Sequence, residues 1–185
     1  MSRHYVACVD LKGRSVLVVG GGSVALEKAR GLLDCGARVT VVAPEVSDEL
    51  AALPLRVVRR RFVPGDVDGQ LLVVAATNDR EVNRRVSAAA ASRPVLCNVA
   101  DDPELCSFIL PALVRRDPIV VAVSTGGASP ALAQRLRDEI GEIVQPRHAE
   151  LARRLEALRP WAKQELPTYD ARRDYFARLV EEALA

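Results

Sequence analysis

Histidine is nearly missing from this chain, with only His4 and His148 among 185 residues. Two cannot build a conventional transition-metal site, so no metal-binding residues are expected and any metal chemistry must lean on carboxylates or on the substrate. No apolar run reaches the roughly 20 residues of a membrane span, which sets aside a membrane partner. The formal net charge of +2 is too small for the electrostatic footprint of a nucleic-acid binder. Cys8, Cys35, Cys97 and Cys106 form no CxxC pair and follow no secretory leader, so reduced thiols in a cytoplasmic protein are expected, read as small core residues. Aromatic residues make up only 4% of the chain, and many of them gather late, at Trp161, Tyr169, Tyr175 and Phe176. No internal repeat or low-complexity stretch breaks what is otherwise an ordinary globular composition, long enough for one good core and a small appendage.

What is present is organised around Ser15 to Ala29, SVLVVGGGSVALEKA. Val16 to Val19 form an unbroken, β-branched-rich run, the pattern of a strand buried on both faces of a parallel sheet. Gly20, Gly21 and Gly22 supply a tight turn, and Ala25, Lys28, Ala29, Leu32 and Leu33 follow at helical spacing. As GxGxxA, the fingerprint is Gly20, Gly22 and Ala25. Gly20 turns the chain, Gly22 has no Cβ to block a pyrophosphate, and Ala25 lets helix and strand approach closely. A structural turn is the alternative, but strand, glycines and helix in that order favour a dinucleotide site whose phosphates meet the helix start.

The helix runs to about Cys35 and closes at Gly36, and Arg38 to Ala43 is a second strand. An acid at that strand's end would hold a ribose 2′-hydroxyl. Here Pro44 and Glu45 follow instead, which leaves NAD-type binding through Glu45 or backbone groups, while the lack of an arginine there disfavours NADP. A short helix is expected over Ser47 to Leu53, a more exposed third strand over Arg56 to Arg60, a loop over Gly65 to Gly69 and a fourth strand over Leu71 to Ala76. Thr77 and Asn78 then stand either as cofactor neighbours or only as helix caps before the Glu81 to Ser92 helix. Pro94 to Ala100 is a fifth strand and delivers Asp101-Asp102-Pro103 to the same edge. Asp101 is either a proton acceptor beside a nicotinamide or one half of an acidic turn.

Ser107 to Val114 reads as an apolar segment and Ile119 to Val123 as a sixth strand, running into the glycine-rich Ser124 to Pro130, a helix start suited to an anion. Ala131 to Val144 carries Leu132, Leu136, Ile140 and Ile143 on one stripe, too little for a domain alone, so a second subunit is expected to complete it. Gln145-Pro146 is a joint. From His148 the pattern predicts two or three short helices, broken at Pro160 and Pro167 and packed as a cap. The arginines of this stretch form either a solvated face or a surface for a partner with several carboxylates. At the other end, Tyr5 to Val9 is expected as a short extended piece covering part of the sheet. The fold class is therefore α/β: a Rossmann-like parallel-sheet domain over residues 1–112, a small dimerisation segment over 113–146 and a helical C-terminal domain over 147–185.

In combination these segments resemble one family. VVGGGSVALEKA (18–29), GARVTVVAP (36–44), AATNDREVNRRV (75–86), CNVADDPELCSFILPA (97–112) and VAVSTGGASPALAQRLR (121–137) resemble the precorrin-2 dehydrogenase/sirohydrochlorin ferrochelatase family, which also forms the N-terminal module of siroheme synthase. The resemblance implies NAD-dependent oxidation of precorrin-2, a tetrapyrrole, to sirohydrochlorin, and in many members insertion of Fe2+ as a second substrate. It implies cofactor contacts at Ser23, Val24, Pro44 and Glu45, which join Gly20, Gly21, Gly22 and Thr77 read above, and a catalytic Asp101 serving both reactions, while Asn98, Ser124, Thr125 and Gly126 are the candidate substrate contacts. It also implies a homodimer, with Arg153, Arg154 and Arg159 among the candidates for docking substrate carboxylates. Some members carry a phosphorylatable serine where this chain has Thr125, which sets regulation by phosphorylation apart from the expectation. With the chain ending at Ala185, methylation of uroporphyrinogen is expected from another protein. The alternatives are a monofunctional dehydrogenase with a separate chelatase, and an NAD-sensing module that turns nothing over.

Overall fold

Five short strands rich in valine pair in parallel in the order β3-β2-β1-β4-β5, with β1 at Ser15–Val19, β2 at Arg38–Ala43, β3 at Arg56–Arg59, β4 at Leu72–Ala75 and β5 at Leu96–Val99. The computed structural model describes residues 4–185. By contacts the chain divides into two units, one extending to Leu110 and the other spanning Pro111–Ala185.

In the first unit β1 is the central strand, and Val16 to Val19 are all but inaccessible to solvent. Alternation sends Val16 and Val18 to one face and Leu17 and Val19 to the other, so one strand seeds two cores. On the first face lie α1 (Ser23–Asp34), through Ala25, Leu26 and Ala29, and α2 (Asp48–Ala51), through Leu50. On the second lies α3 (Arg80–Ala91), through Val86, Ala89 and Ala90. Helices on both faces are what a parallel sheet requires, because each crossover must cover apolar surface on its way back. Gly36 closes α1 at φ +75°, a conformation glycine adopts without a Cβ penalty. Between β3 and β4 a short 3-10 turn, Pro64–Val67, occupies part of the expected loop. There Arg60 forks onto Asp66 at 2.5 and 2.8 Å, and that bond holds the Asp66 carboxyl below the usual carboxylate range.

The second unit holds an antiparallel hairpin, β6 (Ala112–Arg116) with β7 (Ile119–Val123), followed by α4 (Pro130–Ile143), α5 (Pro146–Glu165) and α6 (Tyr169–Leu184). Ile119–Val123 is a strand as expected, and it lies in this hairpin, outside the five-stranded sheet. Its partner is the end of the apolar segment read after Ser107, which extends into a strand of its own. The helical region also differs from expectation, because Pro160 sits inside α5 and does not break it. A mid-helix proline costs about 3 kcal/mol. Here buried Ala149 and Ala162 anchor the helix on both sides of it, and Trp161 packs on Tyr175 of α6 with ring centroids 5.4 Å apart. Two long helices replace the several short ones.

Two smaller expectations fail at the start of the chain. Residues 4–10 form no strand and are exposed, so they cover none of the sheet, and Cys8 among them is exposed too. Of the other three cysteines Cys97 is buried in a core, and Cys35 and Cys106 are half-buried against the two cores. Burial pushes the Cys97 thiol up to about 11, with nearby Cys106 adding to the rise, so it stays protonated near neutrality.

Candidate functional site

All five parallel strands end on one edge of the sheet, and register brings their last residues into line. Val19 stands opposite Val42 and Ala75, and Ala75 opposite Val99. The ladder even runs one residue past the strands, with Gly20 N–H donating to Val42 O at 3.1 Å, Ala76 N–H to Val19 O at 2.7 Å and Ala100 N–H to Ala75 O at 2.9 Å. Gly20 and Ala100 are therefore separated by one intervening strand, about 10 Å at ordinary strand spacing. The carboxyl edge of such a sheet is where ligands gather.

The three glycines do three different things. Gly20 has φ +131°, and a Cβ there would run into the backbone of Ala76. At Gly21 a Cβ would collide with the carbonyl of Glu45 and the Cα of Val46, and Ser47 N–H donates to Gly21 O at 2.9 Å. Both positions are required by close packing of the protein on itself. Gly22 differs. It is the N-cap of α1 with φ −93°, and a Cβ placed on it meets nothing within 4 Å. Its missing side chain leaves open space and solves no packing problem. Ser47, Asp79, Ser129 and Thr168 each cap a helix with a side-chain oxygen, whereas Gly22 leaves the start of α1 with no side-chain cap. The first N–H groups of a helix lack partners within it, and here they point at an open edge, the arrangement that suits a pyrophosphate. Ser23 and Val24 open the helix and are exposed, and Pro44 and Glu45 follow β2 on the same edge, also exposed.

Thr77 follows β4, and its hydroxyl is largely engaged within the protein. Oγ1 accepts from Asp79 N–H at 3.2 Å and donates to Asn83 Oδ1 (2.9 Å) or Asp79 O (3.0 Å), while Asp79 itself caps α3. Asp101, two residues beyond β5, is exposed and is the only non-glycine residue with positive φ, +61°, among the described residues. Its neighbour Asp102 is mostly buried and faces Arg80, the first residue of α3, at 3.4 Å. Among the described residues no cluster of three His, Cys, Asp or Glu is placed to hold a metal ion.

The edge thus brings Gly20, Gly21, Gly22, Ser23, Val24, Pro44, Glu45, Thr77 and Asp101 together. Asn98 is not on it: its side chain is buried inside β5, where Nδ2 donates to Phe108 O at 3.1 Å. Ser124, Thr125 and Gly126 belong to the second unit, in the loop before α4. Ser124 Oγ accepts from Gly126 N–H, and Thr125 Oγ1 bonds the backbone of Ser129, so both hydroxyls brace the loop. Arg80 and Cys106 were missed. An arginine at a helix start and a solitary cysteine carry no spacing signal, and only the fold reveals their partners. Two cavities open at the opposite edge around Arg38, Ser15 and Gln70, away from the glycines. They are shallow grooves at strand starts, and the chemistry-bearing residues are not there.

Comparison with known proteins bears on the same regions. Residues 7–112 match a family described as putative NAD(P)-binding, and residues 116–142 match one described as the central part of a sirohaem biosynthesis protein. The siroheme synthase of Thioalkalivibrio sulfidiphilus is 46% identical over 92% of this chain, and that of Chromobacterium violaceum is 43% identical over 96%. The chain spans only 36% and 38% of the length of these two relatives. A solved structure titled SirC, precorrin-2 dehydrogenase, aligns with a TM-score of 0.84 at 31% identity, covering 98% of this chain and 93% of that one. Sequence and fold together place this chain in the sirohaem-biosynthesis family of NAD(P)-binding proteins that includes SirC and the corresponding part of the siroheme synthases.

Proposed function

We propose that this protein oxidises precorrin-2 to sirohydrochlorin with NAD as the oxidant. The observation that carries the reading is the shared edge: an uncapped helix start over a side-chain-free Gly22, and an exposed carboxylate, Asp101, about two strand spacings away. NAD, when bound, supplies the hydride acceptor. Gly22 with the first turn of α1 holds its pyrophosphate, Gly20 and Gly21 shape the turn beneath it, and Pro44 and Glu45 border its adenosine half. Asp101 takes the proton that the macrocycle sheds as it loses the hydride. A sensor that only binds NAD has no use for that carboxylate, which favours the enzyme over the binding module. The reaction draws on a dissolved nicotinamide pool, consistent with a cytoplasmic protein, and no helix among the described residues is long and apolar enough to cross a membrane.

The direct test is NADH formation from enzymatically generated precorrin-2, read at 340 nm. Turnover is expected with NAD, and NADH formation no faster than without protein removes the proposal. Ferrous iron enters only as the substrate of a second step, with Asp101 receiving protons from the pyrrole nitrogens. Incubation with sirohydrochlorin and Fe2+ in the absence of NAD reads that step alone. A rate above the spontaneous one adds chelation, and its absence leaves a dehydrogenase that hands its product on.

Gly22→Val separates ligand from fold. A Cβ at Gly22 meets nothing within 4 Å, and the loss of a favourable N-cap costs about 1 kcal/mol, so the melting temperature is expected to fall by no more than about 8 °C. NAD affinity, by calorimetry, is expected to fall at least about 100-fold because the side chain stands where the pyrophosphate must approach. Unchanged affinity would remove the phosphate role of this turn.

We propose further that the protein acts as a homodimer. On α4, Leu132, Leu136 and Ile143 are 50, 37 and 68% exposed, and Val120 of β7 is 44% exposed. Three of the four residues of the stripe expected on α4 thus lie open in a single chain, and the fourth, Ile140, is half-buried. A second copy is the occupant proposed for it, since self-association covers equivalent apolar faces at once. Sedimentation at micromolar concentration is expected to give twice the 20.0 kDa chain mass, and Leu132→Glu with Leu136→Glu to return the single-chain mass. A monomeric parent protein would reject the assignment.

A further inference from the structure

The loop that presents Asp101 is held by a thiol. β5 is the last strand of the sheet, so its outer edge has no neighbouring strand to receive its N–H groups. The segment after the Pro103–Leu105 turn folds back along that edge and substitutes for one. Cys97 N–H donates to Ser107 Oγ at 2.7 Å, and Ser107 N–H donates to Cys97 O at 2.8 Å. One step further along, Val99 N–H donates to Cys106 Sγ at 3.1 Å. The single S–H hydrogen has two acceptors within reach, the carbonyls of Asp102 at 3.3 Å and Val99 at 3.4 Å. Asn98 Nδ2 lies 3.7 Å from the same sulfur while donating to Phe108 O.

Cys106 therefore ties the last residue of β5 to the residue just after Asp101. Between those two points Ala100 N–H reaches Ala75 O and Asp102 N–H reaches Val99 O at a long 3.4 Å, while beyond them Asp102 is also held by Arg80 at 3.4 Å and its carbonyl accepts from Leu105 N–H at 3.2 Å, so the thiol is the contact that joins both ends of the turn. Asp101 itself is held at φ +61°, a conformation that costs an L residue free energy and persists only where its surroundings impose it. Left-handed backbone at this point decides where the carboxylate leaves the sheet edge.

We infer that Cys106 is a positioning residue for Asp101: its thiol bridges Val99 and Asp102 and so keeps the intervening aspartate in the left-handed turn that presents its carboxylate at the cofactor edge. The inference rests on the reading of Asp101 as the proton acceptor, and it differs from that reading in what it predicts for the backbone. Serine keeps a donor and an acceptor on a shorter arm. Alanine keeps neither.

The test uses the full-length protein with Cys106→Ala, Cys106→Ser and the combination of Cys106→Ala with Asp101→Asn. Backbone NMR couplings and carbon shifts of Asp101 report its φ directly. The left-handed signature is expected in the parent and in Cys106→Ser and is expected to be lost in Cys106→Ala. The kcat for NADH formation is expected to fall about 10- to 100-fold in Cys106→Ala, the cost of a misplaced catalytic group, with the NAD dissociation constant unchanged. Cys106→Ser should stay within about threefold of the parent, as a retained hydrogen bond allows. In the Asp101→Asn background the alanine change should cost nothing further. A left-handed Asp101 in Cys106→Ala, or an equal kcat loss in both backgrounds, overturns the inference. Loss of the signature with full turnover supports the thiol bridge and removes the catalytic role of Asp101, so the two failures are distinguishable. Should Cys106→Ala not fold, the S–H infrared stretch of the parent protein, assigned by its disappearance in Cys106→Ser, decides the matter. A band at the frequency of a thiol without a hydrogen bond overturns the inference, and a shifted, bonded band sustains it.

Discussion

Gly21→Ala should melt about 15 °C below the parent protein, although it adds a single methyl group to a turn at the surface of the sheet. The added Cβ would sit against the Glu45 carbonyl and the Val46 Cα. Those are backbone atoms, which cannot rotate aside as a side chain can. Either the glycine turn or the segment after β2 must move. That segment is fixed at both ends: Val46 packs into the core beneath α1, and Ser47 caps α2 with its Oγ 3.4 Å from Leu50 N–H while its own N–H holds Gly21 O. Shifting it pulls on Leu50, which is completely buried. Overpacking and the lost contacts together amount to about 3 kcal/mol, and for a folding unit of about this size each kcal/mol is worth about 4–8 °C. Gly20→Ala should be at least as costly, because it adds the strain of φ +131° to a clash with Ala76. Thermal unfolding by circular dichroism gives the answer. A melting temperature within about 3 °C of the parent for Gly21→Ala would show that the Glu45 segment yields easily, and that the second glycine is not a packing requirement.

This contrast among three adjacent glycines marks the boundary of what could be read from residues alone. The run Val16–Val19, the triplet and the periodic Ala25–Ala29 state their geometry in their composition, so β1, α1 and their order are legible. The acidic pair after β5 is legible for the same reason: a buried strand followed by Asp-Asp-Pro must surface at the carboxyl edge. That Gly20 turns the chain and Gly22 stays clear for a ligand is legible in the fingerprint, whereas the packing role of Gly21 is not, because it depends on Glu45 and Val46, both distant in sequence. The β6–β7 hairpin escaped notice because ALVRRDPIVVAV carries no glycine turn, and its first strand merges with the apolar run that precedes it. Pro160 misled through a rule that is sound locally and outweighed here by buried alanines to either side. Sulfur chemistry was the least visible of all. Nothing in the spacing of Cys106 says that its thiol would face the backbone of Val99.

Asp101→Asn is the substitution that isolates charge from shape. Asparagine is nearly isosteric with aspartate, and it is among the few L residues that tolerate left-handed backbone, so the φ of +61° carries no new penalty. Alanine at the same position would add about 1–2 kcal/mol of backbone strain and confuse the two effects. The exposed side chain makes no packing contact whose loss would unfold the sheet, and Asp102, not Asp101, pairs with Arg80. Stability and NAD affinity are therefore expected to match the parent protein. What disappears is the proton acceptor. A positioned general base contributes about 10²- to 10⁴-fold, so kcat for NADH formation from precorrin-2 should fall by about that factor with little change in KM for NAD. If iron insertion is also an activity of this protein it should fall in parallel, because deprotonating the pyrrole nitrogens calls on the same oxygen atoms. Loss of one activity with the other intact would divide the two reactions between different groups, and a full rate in both would return Asp101 to the role of a turn residue.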